Sequence, residues 1–308
     1  MQPDFIYGPV PSRRLGISLG VSPIPKKTCN YACVYCQLGR TNPMTNTRKM
    51  FFKVQEILNE FDYVLSKDIH FDVVTIVGEG EPTLYLGLDQ LIRGIKSRTD
   101  KPVAVITNGA LLYEDSVKEA LMEADIVLPS FDAPDETLFK QINRPHGDLK
   151  YHRVLEGLSE FSKQFKGELW IEIMFVKGMN DTDEALEAFK KQLGKIQYNR
   201  LYINTPVRPP CEETAVAVSM ERIEEISQKL GGLSIDFLVS EGFSSNIEDD
   251  LLAIKSIIKR HPMNQYEIQS FLDHRNCKEA YKVIKDLKAS KDVKIKSYRG
   301  YDTYQIKV

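Results

Sequence analysis

Several things are scarce in this chain of 308 residues. It has no apolar run approaching the roughly 18 residues that cross a bilayer, which argues against a membrane helix. The start, Met-Gln-Pro-Asp-Phe5, is neither basic nor apolar, which argues against a signal peptide. Internal repeats and low-complexity tracts are missing, which sets solenoids and linker-rich chains aside. Cysteines number only five, and two of them, Cys211 and Cys277, stand isolated. No even disulfide framework can be drawn from that set, so the expectation is a cytoplasmic protein with reduced thiols. Net charge is small, −2, while 27% charged and 42% hydrophobic residues are ordinary for a globular protein. That length accommodates one sizeable domain and a small second one.

The remaining three cysteines fall within eight residues, Cys29-Asn-Tyr-Ala-Cys33-Val-Tyr-Cys36. One short loop presenting three thiolates can hold three irons of a four-iron cluster and leave the fourth open to a small molecule. The rival is a zinc site, but no nearby His or further Cys completes a tetrahedral set.

Short β-rich runs alternate with helical patterns over most of the chain. Strands are expected at residues 15–21, 73–77, 103–107, 126–130, 169–176, 200–204 and 234–239. Helices are expected at 52–66, 88–97, 114–123, 151–164, 182–193 and 219–230. The fold class is therefore α/β, a parallel sheet curved into a partial (β/α)6 barrel of the TIM type, with an open doubly wound sheet as the alternative. Composition shifts near residue 244, which sets domains at 1–244 and 245–308. From residue 245 there are 13 Lys and Arg against 9 Asp and Glu. Three helical patterns (247–260, 264–272, 278–289) and two alternating segments (293–297, 303–308) describe a small winged-helix-like domain. Lys278, Lys282, Lys285 and Lys288 would lie along its third helix. They suit either nucleic-acid contact or a solvated face used for packing and protein docking.

In a parallel barrel, functional groups gather at the C-terminal ends of the strands. The cysteine loop follows the first strand. Gly78-Glu79-Gly80-Glu81-Pro82-Thr83 follows the second, where glycines allow close backbone approach and Glu81 can meet a cation. Later ends carry Thr107-Asn108-Gly109, Ser130-Phe131-Asp132, then Asn143-Arg144-Pro145-His146, Glu172, and the run from Asn204 to Arg208.

Together these residues resemble the radical S-adenosylmethionine (SAM) enzymes, over roughly residues 7–210. The loop's three-then-two spacing, with Tyr35 before its last cysteine, matches that superfamily's signature. The resemblance implies a [4Fe-4S] cluster on Cys29, Cys33 and Cys36. It also implies SAM as cofactor, with Gly80 and Glu81 at its amino group, Thr107 and Asn108 at its ribose and Ser130 near its carboxylate. Tyr35, Asp132, Asn143 and Arg144 join the expected cofactor-binding set. The implied chemistry is reductive cleavage of SAM to a 5′-deoxyadenosyl radical that abstracts hydrogen from a substrate. An electron donor such as flavodoxin or ferredoxin would serve it.

Residues 7–16, the Gly-Glu-Pro-Thr run, Ser-Phe-Asp-Ala-Pro (130–134) and Asn-Arg-Pro-His (143–146) resemble the subgroup related to tRNA wyosine-base synthase. That likeness implies tRNA or another RNA as substrate. One departure matters. Those synthases place further cysteines upstream of the loop for a second cluster, whereas Cys29 is the first cysteine here. Lys26 and Lys27 could offer an amine to a carbonyl substrate, Cys211 could serve at the barrel rim, and Arg13, Arg14, Arg144 and Arg208 could line an entrance for an anionic substrate. Two other functions stay open, an activating enzyme that installs a glycyl radical on a partner protein and a non-enzymatic iron–sulfur winged-helix redox regulator.

Overall fold

The computed structural model describes residues 4–67, 69–235, 243–245, 247–298 and 300–307. The chain opens with an antiparallel pair, β1 (Ile6–Ser12) and β2 (Gly16–Val21). From β2 onward, strand and helix alternate: α1 (Val54–Leu65), β3 (Val73–Ile76), α2 (Leu88–Lys96), β4 (Val103–Thr107), α3 (Asp115–Leu121) and β5 (Ile126–Pro129). A short α4 (Glu136–Leu138) and α5 (Tyr151–Gln164) lead into β6 (Glu168–Met174), α6 (Asp183–Leu193), β7 (Arg200–Asn204), α7 (Met220–Leu230) and β8 (Leu233–Ser234). The expected strand at 234–239 lies mostly outside the described residues.

All eight strands form one sheet in sequential order, and every pairing from β2 to β8 is parallel. An open doubly wound sheet reverses its strand order at a switch point. Unbroken sequential order instead winds the sheet one way, the arrangement of a partial (β/α) barrel. Helix α2 shows why the layers adhere. Leu88, Leu91, Ile92 and Ile95 recur at helical spacing and are fully buried, each worth about 1.5–3 kcal/mol of burial.

Strand β1 was not anticipated, because Gly8, Pro9 and Pro11 read as loop. Its place at the edge explains it, since a proline there forfeits no central ladder bond.

Beyond β8 come α8 (Asp250–Ile258), β9 (Met263–Asn264), α9 (Gln265–His274), α10 (Ala280–Ala289), β10 (Val293–Tyr298) and β11 (Tyr301–Ile306). A second sheet of order β10-β11-β9 closes the three helices, a winged-helix arrangement. Asn264 caps α9 in a reciprocal box with Glu267. The module has its own apolar cluster, to which β1 contributes Val10 and, at its margin, Tyr7. Its hairpin rests on the barrel rim. Tyr298 donates its hydroxyl to the Pro206 carbonyl at 3.0 Å, and Lys296 Nζ donates to the Pro210 carbonyl at 3.2 Å. Arg260, just past α8, lies over the Tyr7 ring and beside Glu79.

Removing residues 245–308 would therefore expose Val10 and Tyr7 and strip Glu79 of a cation. Calorimetry is expected to show the truncated barrel melting at least about 5 °C below the parent. Equal melting temperatures would mean that this seam contributes no stability.

Candidate functional site

The loops at the C-terminal ends of the strands enclose a cavity of about 430 Å³. Cys29, Cys33 and Cys36 line it, as do Tyr35, Gly80, Glu81, Thr107, Asn108 and Ser130. Residues up to 101 positions apart thus share one space. Asp132 and Asn143 lie behind the cysteine loop, and Arg144 on its outer side.

Backbone bonds from two later loops hold the cysteine loop in shape. The Ala32 N–H donates to the Asn143 carbonyl at 3.0 Å and the Val34 N–H to the Ile142 carbonyl at 2.9 Å. The Glu212 N–H donates to the Val34 carbonyl at 2.9 Å. Asp132 is the anchor beneath. Its carboxylate accepts from the Tyr35 hydroxyl, from Asn143 Nδ2 at 2.8 Å and from the Met174 N–H at 2.9 Å. Burial pushes this carboxyl up to about 6, against the pull of those donors. Asp132 and Asn143 thus position the loop from behind it. Arg144 has a left-handed backbone, φ 46°, and pairs with Glu212 at 2.9 Å, which also meets Arg40 at 3.3 Å. Glu212 ties three loops together, a role no local pattern signalled.

N–H donors face the sulfurs. Asn108 Nδ2 is 3.6 Å from Cys29 Sγ, Asn143 Nδ2 is 3.6 Å from Cys33 Sγ, and the Tyr31 N–H is 3.4 Å from Cys29 Sγ. Burial, with the Glu81 charge adding, pushes the Cys29 thiol up to about 12. Burial and then Asp132 raise Cys33 well above its ordinary value, and burial raises Cys36. Thiols so placed stay protonated in water; a bound cationic centre is what would stabilise them as thiolates. Among the described residues no group of three His, Cys, Asp or Glu is set around a single metal ion. A four-iron cluster makes a different demand, since each thiolate binds its own iron.

Glu81 is buried at the start of the turn after β3. Its Oε1 accepts from the Thr83 N–H at 3.0 Å, the Thr83 hydroxyl at 2.6 Å and the Thr107 hydroxyl at 2.6 Å; Oε2 accepts from the Asn108 N–H at 2.8 Å. Burial pushes its carboxyl up while these donors pull it back. A carboxylate has about four lone-pair sites, two to each oxygen. Oε1 is saturated, so Oε2 is the atom that can take one further donor. Thr107 is committed to this acid. The Asn108 amide donates to Asn30 Oδ1 at 2.7 Å and its oxygen accepts from the Ala110 N–H at 2.9 Å. Asn30, fully buried, had gone unnoticed in the sequence.

Gly80 is required by space. A Cβ there would stand 1.9 Å from the Thr28 carbonyl oxygen and 2.8 Å from Ile24. Gly80→Ala must displace the backbone that aims Glu81. Expected outcomes are a loss of about 1–3 kcal/mol in stability and weaker SAM binding. Equilibrium unfolding and dialysis would detect both, and an unperturbed variant would refute this close approach.

Of the other candidates, Glu172 lines the cavity paired with Arg14 and accepts from Asn204 Nδ2 at 3.4 Å. Arg13 and Arg208 also line it. Lys26 lies off the cavity, 3.9 Å from Glu79, with its ammonium depressed by burial. Lys27, with φ 63°, has its side chain towards Gly39. Cys211 belongs to the loop pinned by Glu212 and is near enough to Cys36 for their charges to interact. Cys277 caps the end of α9 through its N–H to the Leu272 carbonyl at 3.0 Å.

A one-way-wound α/β barrel with three cysteines and a glycine-framed acid at its mouth defines the class, and the comparison with known families agrees. Residues 24–189 match the Radical SAM superfamily, and the chain belongs to that superfamily of enzymes. Among its relatives, the UPF0026 protein of Methanocaldococcus jannaschii is 37% identical over 281 residues, 88% of this chain and 86% of that protein. A UPF0026 protein of Helicobacter pylori strain 26695 is 33% identical over 315 residues, 98% and 97% of the two chains. A Brachyspira hyodysenteriae protein named GTPase Obg is 41% identical over 220 residues, which span 71% of this chain but only 32% of that protein. Among solved structures, TYW1 with a lysine-pyruvate adduct bound aligns with a TM-score of 0.52 and 18% identity, covering 69% of this chain and 72% of that one. A radical SAM methyltransferase from Sphaerobacter thermophilus also gives 0.52, at 15% identity, covering 71% and 68%. These last two show the fold.

Proposed function

We propose that Cys29, Cys33 and Cys36 hold a [4Fe-4S] cluster, that SAM binds between it and Glu81, and that the substrate is an RNA, with tRNA the first candidate. The observation that carries the reading is the one cavity shared by the cysteine triplet and Glu81. The donor set fits the cluster: three soft thiolates from one loop, with Asn and backbone N–H groups facing two of the sulfurs. When bound, such a cluster supplies one electron that splits the sulfonium C–S bond into methionine and a 5′-deoxyadenosyl radical. The protein's own residues aim and shelter that event. Glu81 Oε2 receives an ammonium proton, Asp132 and Asn143 stop the loop from tilting, and Ser130 lies at the wall where a carboxylate would rest. The enclosing loops limit water, which would otherwise compete for these groups.

RNA as substrate is supported by the outer face of α10 together with the turn just before it. Lys278, Lys282, Lys285 and Lys288 are exposed, and Tyr281 projects among them at 84% exposure, a cationic face with an aromatic on which a base can stack. The regulator alternative is less favoured. Its hairpin, the part of a winged helix free to flank a duplex, is bonded to the barrel rim here. The wyosine-type likeness stays at subgroup level, because the upstream cysteines for a second cluster are lacking.

The decisive test is anaerobic incubation of reconstituted, dithionite-reduced protein with SAM. The expected product is 5′-deoxyadenosine; its absence from protein with an intact cluster would favour the regulator. Mass spectrometry of nucleosides from cells with and without the gene is expected to reveal one missing tRNA modification. An unchanged nucleoside profile would remove RNA as substrate.

A further inference from the structure

The C-terminal module leaves two tyrosine rings uncovered beside the mouth of the cavity. Tyr266 lies in the first turn of α9 and is 66% exposed; Tyr301 opens β11 and is 46% exposed. Their ring centroids stand 6.0 Å apart with the planes at 83°, an edge-to-face corner. We propose that this corner takes an unstacked base of single-stranded RNA and holds the strand while a neighbouring nucleotide enters the barrel. That role rests on RNA being the substrate, and it adds where one of its bases sits.

Hairpin register puts Tyr301 on the rim side. Residues directly opposite one another in an antiparallel pair share a face, and Tyr301 is opposite Tyr298. Tyr298 reaches the Pro206 carbonyl; two residues earlier, on the same face, Lys296 reaches the Pro210 carbonyl. Thr303, opposite Lys296, is buried. Tyr301 continues this docked face past the point where the rim covers it.

Tyr266 comes to the corner from the other side. Its two neighbours in sequence are engaged: Gln265 Oε1 accepts from the Asp302 N–H at 2.8 Å, and Glu267 pairs with Arg208 at 3.4 Å. Both Pro206 and Arg208 line the cavity. Each ring is therefore tied to the cavity wall within a few residues, Tyr301 through Tyr298 and Tyr266 through Glu267. The backbone beneath Tyr266 is fixed as well, since Asn264 Oδ1 accepts its N–H at 2.9 Å. Rings held in place beforehand lose little freedom when a ligand arrives.

The chemistry of the occupant follows from what surrounds the rings. Ile295, the exposed aliphatic side chain of this hairpin, stands opposite Tyr304 on its other face. The corner is thus aromatic without an aliphatic patch around it on the hairpin. The module also carries an excess of Lys and Arg, which draws a polyanion. A flat π face on a cationic module suits a nucleobase, and every base has such a face. In a duplex those faces are already covered, so the fit is to a single strand.

Fluorescence anisotropy tests the corner, with cluster-loaded protein kept anaerobic and a fluorescein-labelled single-stranded RNA of about 12 nucleotides, within the range of known single-strand sites. Tyr301→Ala and Tyr266→Ala should each bind this RNA about fivefold more weakly, or worse. The salt dependence of affinity should keep its slope, because a ring neutralises no phosphate. Tyr301→Phe, which keeps the ring, should bind as the parent does, and so should Tyr63→Ala, which removes an exposed ring on α1. A blunt duplex of the same sequence should lose nothing in either alanine variant. Circular dichroism checks folding, and if one alanine variant misfolds the other decides. Equal affinity of parent and alanine variants for the single strand overturns the corner as a base site and leaves the rings to a protein partner. An equal loss on the duplex, or a parent that binds no RNA, overturns it too. The nucleoside comparison judges RNA as substrate separately, so the two can fail independently.

Discussion

Anaerobically purified Cys33→Ala protein will be colourless, will carry less than one iron per chain, and will form 5′-deoxyadenosine at least about 1000-fold more slowly than the parent. The fold should survive. The Val34 and Ala32 ladder bonds, the Tyr35–Asp132 hydrogen bond and the Glu212 pin are all independent of the sulfur. What goes is one of three ligands, and two thiolates cannot hold the cluster on one wall of an open cavity. The Asn143 amide that faces Cys33 keeps Asp132 as a partner, so circular dichroism should match the parent. Iron content and product formation, measured together, decide the matter. A brown, active Cys33→Ala protein would end the cluster assignment, as would a parent that binds no iron.

Glu81→Gln will keep its iron but bind SAM roughly 10- to 100-fold more weakly, the range for losing a hydrogen bond to a charged group. The isosteric change is chosen because Glu81→Ala would strand four donors at once. With glutamine, the carbonyl can occupy the Oε1 position and still accept from both threonines. Its NH2 then faces the Asn108 N–H, donor against donor, where Oε2 had accepted at 2.8 Å. That clash should cost about 1–3 kcal/mol of stability, and the ammonium of SAM would meet no negative charge. Equilibrium dialysis with radiolabelled SAM, beside an iron assay, separates the two effects. Unchanged SAM affinity would mean that this acid only braces the turn.

These variants also separate what local pattern can reveal from what it cannot. Periodicity located Val103–Thr107, Tyr151–Gln164 and Arg200–Asn204 to the residue, because a buried strand or an amphipathic helix writes its spacing into adjacent positions. Cysteine spacing and the glycine frame of Glu81 were equally legible, since each lies within one loop. Strand β1 was hidden by its prolines, and β9 by having only two residues.

The roles of Asp132, Asn143, Glu212 and Asn30 were a different matter. As types they look alike on any barrel rim. Only contacts across 97 positions for Tyr35–Asp132, or 172 for Arg40–Glu212, show which of them brace the cysteine loop. The seam between Glu79 and Arg260 has the same origin, as does the docking of the hairpin on Pro206 and Pro210. By itself the amino-acid order determined the winding of strand and helix, the end of the barrel that bears chemistry and the thiols offered to a metal. Those properties follow from short-range backbone and side-chain preferences. Tertiary structure alone decided which acids line the cavity, which acids hold the loops, and that the C-terminal module walls the same cavity. Such pairings depend on where distant segments meet once the core has closed, and no local spacing encodes them.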